Sequence, residues 1–584
     1  MPLRHFVFGT LTALHLAVSP VLAQQATDTV APEQATVSTE KPAVRASKHM
    51  VVAANPLAAE AGLEVLRAGG SAADALVAVQ TVLGLVEPQS SGIGGGAFLV
   101  WYDGRTGQLT TIDGREAAPS AATGDLFVGT DGKPLAFFDA VVGGRSVGVP
   151  GVVRLMKMAH DKYGKRKWTE NFAPAIAMAR NGFRVSPRLA AMVQADAEKL
   201  GREPTTRNYF FPSGTAVGAG DILRDGDYAE TLEAIAENGA DAFYSGPIAS
   251  EIVAAVRGHA TNPGRLTEQD LAGYKAIERQ PVCAPYRGFD VCGMGPPSSG
   301  AIAIGQILGL VEPFDLATLG PADPQSWRIV GDATRLAFAD RERYVADSDF
   351  VSMPRGLLNR DYLQTRSQLL RRPTALASAD VKAGEPPWEK AETRQDSPAL
   401  EIPSTTHFVI VDAEGNIASI TSSIENAFGA RLMTGGFLLN NQLTDFAFVP
   451  EKDGTAVANR VEPGKRPRSS MSPTIILKDG KPVYALGSPG GSNIIPYVAR
   501  TIIALVDWNM EMQQAISMPH LTNRFGTYDL EMGTSAAGWV PELEALGFKT
   551  AVKEQNSGLH GVTILPDGLV GGADPRREGM AIGD

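Results

Sequence analysis

One stretch constrains this chain more than any other: Pro403-Ser404-Thr405-Thr406-His407-Phe408-Val409-Ile410-Val411-Asp412. Before it, residues 371–404 repeat Pro, Ala, Lys and Glu with no sustained period, as a linker does. After it, strand-length apolar runs recur between turn residues. Residues 407–411 and 417–421 read as strands around an Asp412-Ala413-Glu414-Gly415-Asn416 turn. Residues 437–441 read as a strand leading to Gln442 and Asp445, and 474–477 pairs with 483–486 around Asp479-Gly480. Gly487-Ser488-Pro489-Gly490-Gly491-Ser492 precedes a helix over 493–508. A short helix at 541–546 and a hairpin around Pro566-Asp567-Gly568 complete the chain.

The larger part before the linker is mainly helical. Helical spacing over 56–68 stops at Gly69-Gly70, and Ser71 caps a second helix to about residue 86, where Glu87-Pro88 breaks it. Gly92-Ile93-Gly94-Gly95-Gly96 then follows a helix and opens a strand at 98–102. A dinucleotide-binding fingerprint has the opposite order, so nucleotide binding is rejected. These glycines instead mark a turn needing positive φ, or a close approach of backbone. A strand at 110–113 runs into a loop bearing Arg115, whose fork can clamp a carboxylate. Pro296-Pro297-Ser298-Ser299-Gly300 leads into a helix at 301–311. Residues 326–344 read as a helix whose Asp332, Arg335, Asp340, Arg341, Glu342 and Arg343 form a charged outer face.

With 584 residues, 44% of them hydrophobic, the chain has ample material for a large core. A formal net charge of -11 without a polybasic run argues against nucleic acid as a partner. Arg4, the apolar stretch 6–18 and Pro20-Val21-Leu22-Ala23 read as an export signal over 1–23, cut after Ala23. Its apolar run is shorter than the ~20 residues of a spanning helix, and no membrane anchor is expected after signal removal. Residues 24–45 read as a disordered start. Cys283 and Cys292 fall opposite each other if Arg287-Gly288 is a two-residue hairpin turn. That placement suits a disulfide in an exported protein; two free buried thiols are the alternative.

The common catalytic signatures are missing: no HExxH, no GxSxG and no GxxxxGK[ST] occurs. What remains is a threonine at a linker-to-strand junction. If the chain cuts itself between Ser404 and Thr405, Thr405 becomes an N-terminal nucleophile whose own α-amino group serves as base. An ordinary α-amino pKa near 7.7 to 8.0 suits that task at neutral pH. Gly490 and Gly491 at a helix start offer backbone N–H groups for an oxyanion.

Taken in order, these motifs closely resemble the gamma-glutamyltransferases (gamma-glutamyltranspeptidases) of the N-terminal nucleophile hydrolase superfamily. The resemblance covers nearly the whole mature chain. It rests on Glu87-Pro88-Gln89, the glycines after it, Asp113-Gly114-Arg115-Glu116-Ala117-Ala118-Pro119 and Pro296-Pro297-Ser298-Ser299-Gly300. Beyond the linker it rests on Thr405-Thr406-His407, Leu439-Asn440-Asn441-Gln442, Asp445-Phe446, residues 465–474 and 487–492. It implies an α+β fold, a four-layer αββα sandwich. It also implies a precursor cut into a large subunit, 24–404, and a small catalytic one, 405–584, which stay associated. Thr405 then matches the nucleophile and Ser423 its supporting hydroxyl. Arg115, Ser469 and Ser470 match the groups holding a substrate α-carboxylate, Gln442 and Asp445 those around its α-amino group, and Gly490 and Gly491 the oxyanion hole. The substrate implied is a small γ-glutamyl amide such as glutathione, and neither metal nor cofactor is called for.

Two departures stand out. Glu425 replaces the Asn that typical members direct at the substrate amine. The segment 447–458 is shorter than the lid loop, with its aromatic gate, of some bacterial members. Residues 424–431 are also similar to a subgroup that includes cephalosporin acylases, which makes a glutaryl acylase the near alternative. A non-catalytic periplasmic binding protein is the distant one.

Overall fold

The computed structural model describes residues 39–388, 392, 394–397 and 404–584. The expected signal over 1–23 lies outside the described residues. Two seven-stranded sheets, each antiparallel throughout, lie face to face. The first has the order Met580–Gly583, Met50–Ala53, Thr406–Val411, Ile417–Ser423, Gly96–Tyr102, Leu109–Gly114 and Ile277–Arg279. The second runs Val44–Ala46, Gly568–Ala573, His560–Leu565, Lys481–Gly487, Thr474–Lys478, Phe289–Gly293 and Val282–Tyr286. Each sheet mixes strands from before and after residue 404.

The strand period of two sorts the side chains into layers. From the first sheet Met50, Val52, Val100, Val409 and Val411 point inward and meet Ile475, Ala485, Val562 and Leu569 of the second. Their neighbours Val51, Ala53, Leu99, Trp101, Phe408 and Ile410 point outward onto the helices Pro56–Arg67, Ala72–Val86 and Val152–Tyr163. Helices Gly300–Val311, Pro324–Tyr344 and Ile494–Val506 cover the outer face of the second sheet. The result is the expected αββα order of layers. Both faces of the central strands are buried, so the Thr406–Val411 strand is apolar on both sides.

The long helix Pro324–Tyr344 corrects one expectation. Asp332, Arg335, Asp340, Arg341 and Glu342 are buried rather than forming an outer face. The chain after residue 371 lies across them and supplies partners: Asp332 accepts from the Leu376 N–H, Arg335 donates to the Leu376 carbonyl, and Asp340 accepts from the Gly384 N–H. Residues 372–388 carry a single 3-10 turn, Ser378–Asp380, yet are fixed by these bonds. Helical periodicity shows which charges share a face, not what covers it. The described part of the expected disordered start also differs. Val44–Ala46 pairs with Gly568–Ala573 as an edge strand. In the hairpin Val282–Tyr286/Phe289–Gly293, Cys283 lies opposite Cys292 and the two sulfurs are bonded.

The glycine run takes the second of its two sequence readings. None of Gly94, Gly95 and Gly96 has positive φ. Instead a Cβ on Gly94 would lie 2.1 Å from the Leu438 carbonyl oxygen, and one on Gly95 2.2 Å from that of Ser423. Gly95→Ala is expected to cost about 1–3 kcal/mol through this overlap. Gly258→Ala, at a helix end with open space around it, is the control. Urea unfolding of both variants checks this, and equal stabilities would remove the close-approach argument.

Candidate active site

The antiparallel register pairs Thr406 with Ser422, so Thr405 stands at the strand end opposite Ser423. Here the Thr405 hydroxyl donates to Ser423 Oγ at 3.2 Å. Ser423 Oγ donates in turn to the Ser404 carbonyl oxygen at 2.9 Å, and accepts from the Glu425 N–H at 2.8 Å. The Ser404 hydroxyl is tied to the Gln89 carbonyl at 2.6 Å, which gives the Glu87-Pro88-Gln89 motif a place beside the junction. Thr405 is 4% exposed. His407, two residues along the same strand, is fully buried against Gly487. Burial, reinforced by His560, pushes its imidazole well below the usual range. It is therefore neutral at pH 7, and its Nδ1 is engaged with Thr421 Oγ1 at 2.9 Å.

Thr405 and Ser423 open on a small cleft. Arg115, Glu425, Gln442, Asp445, Ser469, Ser470 and Gly491 line it as well. The structure thus brings together nearly every residue that the sequence reading nominated. Gly490 is not in the lining but adjoins it, with φ 138, where the chain turns into Gly491–Asn493 and then the helix Ile494–Val506. Met471 and Ile494 complete the wall and were not nominated. Met471 sat within a quoted motif; Ile494 looked like any apolar residue at a helix start.

The polar wall carries both signs of charge. Arg115 leaves the strand Leu109–Gly114, and its Nη2 donates to Asp445 Oδ2 at 2.5 Å and to the Arg468 carbonyl at 3.0 Å. Its Nη1 has no hydrogen-bond partner among the described residues. Gln442 Nε2 donates to the same Asp445 oxygen at 2.7 Å, from one turn earlier in the Gln442–Asp445 segment. Arg341 Nη2 donates to Ser470 Oγ at 2.8 Å, and the Met471 N–H to Ser469 Oγ at 3.1 Å. The support from Arg341 could not be read from the sequence, because its helix looked solvated. Glu425 has φ 79, in the left-handed region, and Asn441 donates to its Oε2. Such strain at a non-glycine residue is tolerated where surrounding contacts determine it, and here it turns the carboxylate into the cleft wall. No group of three or more His, Cys, Asp or Glu that could hold a metal occurs among the described residues.

This arrangement, a threonine opening a central strand of a four-layer sandwich beside a small polar cleft, is that of an N-terminal nucleophile hydrolase. The gamma-glutamyltranspeptidase family profile matches residues 58–584. A glutathione hydrolase proenzyme of Bacillus subtilis (strain 168) is 37% identical over 547 residues, 91% of each chain. An acylase ACY 1 proenzyme of Pseudomonas sp. (strain SE83) is 32% identical over 554 residues, 93% of this chain and 94% of its own. Among solved structures, a cephalosporin acylase from Bacillus halodurans superposes with a TM-score of 0.81 at 26% identity, covering 94% of this chain and 97% of that one. The chain belongs to the gamma-glutamyltranspeptidase family.

Glu116 adds a titratable neighbour to Arg115. Its Oε2 is 3.7 Å from Arg115 Nη1. Burial pushes its carboxyl up to about 8, partly opposed by the Arg115 charge. A raised carboxyl pKa means that the folded state keeps a proton the unfolded chain loses above about 4.5. Its contribution to stability therefore falls as pH rises from about 4.5 to about 8. Above about 8 the ionised carboxylate competes for Arg115 with any incoming carboxylate. Calorimetric titration with L-glutamate is expected to show binding several-fold weaker at pH 9 than at pH 7, with a smaller change in Glu116→Gln. The same pH dependence in both proteins would reject this role.

Proposed function

We propose that this chain is a self-processing γ-glutamyl hydrolase and transferase with Thr405 as nucleophile. The observation that carries this reading is the Thr405–Ser423 hydroxyl pair, facing a cleft walled by Arg115, Asp445, Gln442 and two serines. In the precursor, Thr405 Oγ attacks the Ser404 carbonyl carbon. Ser423 stabilises the oxygen as charge develops on it, from the position it already holds. The Oγ–C bond forms, the C–N bond breaks, and the hydroxyl proton passes to the departing nitrogen, which becomes the α-amino group of Thr405. Water then hydrolyses the ester. The products are a large subunit, 24–404 after signal removal, and a small one, 405–584.

In turnover the same Oγ, its proton taken by the new α-amino group, attacks the carbonyl of a γ-glutamyl amide such as glutathione. Arg115, Ser469 and Ser470 hold the α-carboxylate; Asp445, Gln442 and Glu425 face the α-ammonium. Backbone N–H groups of Gly490 and Gly491 receive the oxyanion. The amine leaves with the transferred proton. The γ-glutamyl ester then goes to water or to the amine of an acceptor amino acid or peptide. The reaction as written uses protein groups alone. The signal-like N-terminus supports a location in the periplasm or outside the cell.

The cephalosporin acylase resemblance supports glutaryl side chains as a second substrate class. Charge decides between the two. A glutaryl group has a carboxylate but no ammonium, and would leave the Glu425 side of the cleft facing no cation. A γ-glutamyl end satisfies both signs.

Thr405→Ala is expected to run as one uncut band on denaturing gels and to lose roughly a thousandfold or more in turnover. Residual full turnover by that variant would sink the mechanism. On one wild-type preparation, γ-glutamyl anilide should be cleaved faster than glutaryl anilide, and Glu425→Gln should narrow the ratio several-fold. A clear glutaryl preference in the wild type overturns the choice of substrate, and an unchanged ratio in the variant removes Glu425 from the specificity argument.

A further inference from the structure

Residues 574–579 carry the chain from the strand Gly568–Ala573 in the second sheet to Met580–Gly583 at the edge of the first. This crossover reaches the nucleophile directly. Arg577 Nη1 donates to the main-chain carbonyl of Thr405 at 3.0 Å, with both residues buried. The Arg577 Nε donates to Asn556 Oδ1 at 3.4 Å. A Cβ at Gly558 would stand 2.9 Å from Arg577 Cδ, so the arginine stem fills the space that this glycine leaves.

The crossover is held from its other side by the N-terminal arm. Lys41 Nζ donates to the carbonyl oxygens of Asp574 at 2.8 Å, Arg577 at 2.6 Å and Gly579. An ammonium has three protons and no acceptor, so three converging carbonyls satisfy it fully. The Thr39 N–H adds a bond to the Pro575 carbonyl at 3.1 Å. Within the crossover, Asp574 accepts from the Ser557 hydroxyl, from Leu559 N–H at 2.8 Å and from Arg576 N–H at 3.0 Å.

We propose that Arg577 is a positioning residue for Thr405, and that Lys41 keeps Arg577 in place by clamping the 574–579 crossover. The proposal rests on Thr405 being the nucleophile and goes beyond it, because neither residue lines the cleft. In the precursor, peptide bonds hold Thr405 on both sides. After the cut its nitrogen is untethered, and the backbone holds the residue from its carbonyl side alone. A charge-assisted hydrogen bond on that carbonyl fixes the peptide plane that carries Cα, and so the point from which Oγ and the α-amino group reach the substrate. Lys41 lies on one side of the cut, and Arg577 and Thr405 on the other. The clamp thus joins the two subunits at the catalytic residue without touching substrate, so its loss lowers kcat and leaves KM.

The test uses the full chain carrying Arg577→Gln, Arg577→Lys, Lys41→Met, or Lys41→Met with Arg577→Gln. Cutting at 404–405 is followed over time on denaturing gels. kcat and KM are measured with γ-glutamyl-p-nitroanilide, and Tm is recorded for each protein. Arg577→Gln is expected to lower kcat tenfold or more with KM within twofold. Arg577→Lys should recover at least threefold of that loss. Lys41→Met should give a smaller loss of the same kind, and the double variant should fall no lower than Arg577→Gln. Three outcomes overturn the proposal: kcat of Arg577→Gln within twofold of wild type, losses at the two sites that multiply, or a lowered Tm with kcat and KM both worsened. If Arg577→Gln does not accumulate as folded protein, Arg577→Lys and Lys41→Met decide by the same kcat-against-KM split. Wild-type protein that leaves the anilide intact refutes the substrate reading instead, and the same kcat-against-KM split is then read with glutaryl-p-nitroanilide.

Discussion

The register between two central strands governs this molecule. Thr406 pairs with Ser422, and Ser423 with Gly96 on the next strand. Side chains alternate along a strand, so a slip of one residue would turn Thr405 away from the cleft and exchange the two apolar faces. Burial on both faces is what forbids the slip. The inward row Val409 and Val411 belongs to the core between the sheets, and the outward row Phe408 and Ile410 to the helix layer. The hydroxyl contact between residues 405 and 423 is thus fixed by hydrophobic packing several residues away. Gly95 serves the same end by letting backbone close in behind Ser423.

Around that point the protein buries charge instead of excluding it. Arg115 sits against Asp445, while Arg341 and Arg468 both reach Glu342. Buried pairs of this kind add little net stability, because desolvation consumes most of the Coulomb gain. Their value here is geometric. Arg341 also reaches Ser299 and Ser470, and Arg468 also takes the Ser397 carbonyl, so one network ties a cleft serine to the segment preceding residue 404. Ser470 is therefore held by a rigid helix although it lies in an irregular stretch.

Much of this was legible in the sequence. The strand pairs around Asp412–Asn416, Asp479-Gly480 and Asp567-Gly568 announced themselves through turn chemistry and alternation. The cleft residues did so through motifs whose order resembled a family. The illegible parts share a cause. The charges of the helix Pro324–Tyr344 looked solvated because nothing local says that residues 372–388 return to cover them. The N-terminal arm looked disordered because an edge strand as short as Val44–Ala46 has too few residues to show a period. Arg577 gave no signal at all, since its contact with Thr405 spans 172 positions of chain. Local pattern reports faces and turns; long-range partners of polar groups need the fold.

The interleaving of strands in both sheets has a consequence for the mature enzyme. Met50–Ala53 lies between two strands from beyond residue 404, and the pair Thr406–Val411/Ile417–Ser423 is flanked on both sides by strands from before it. A cut at 404–405 would leave two chains that cannot part by sliding one surface off another; separation requires unzipping both sheets. Folding would be unimolecular before the cut, but recovery after complete unfolding would be bimolecular and would fail on dilution. The processed enzyme would then owe its persistence to slow unfolding rather than to ready refolding.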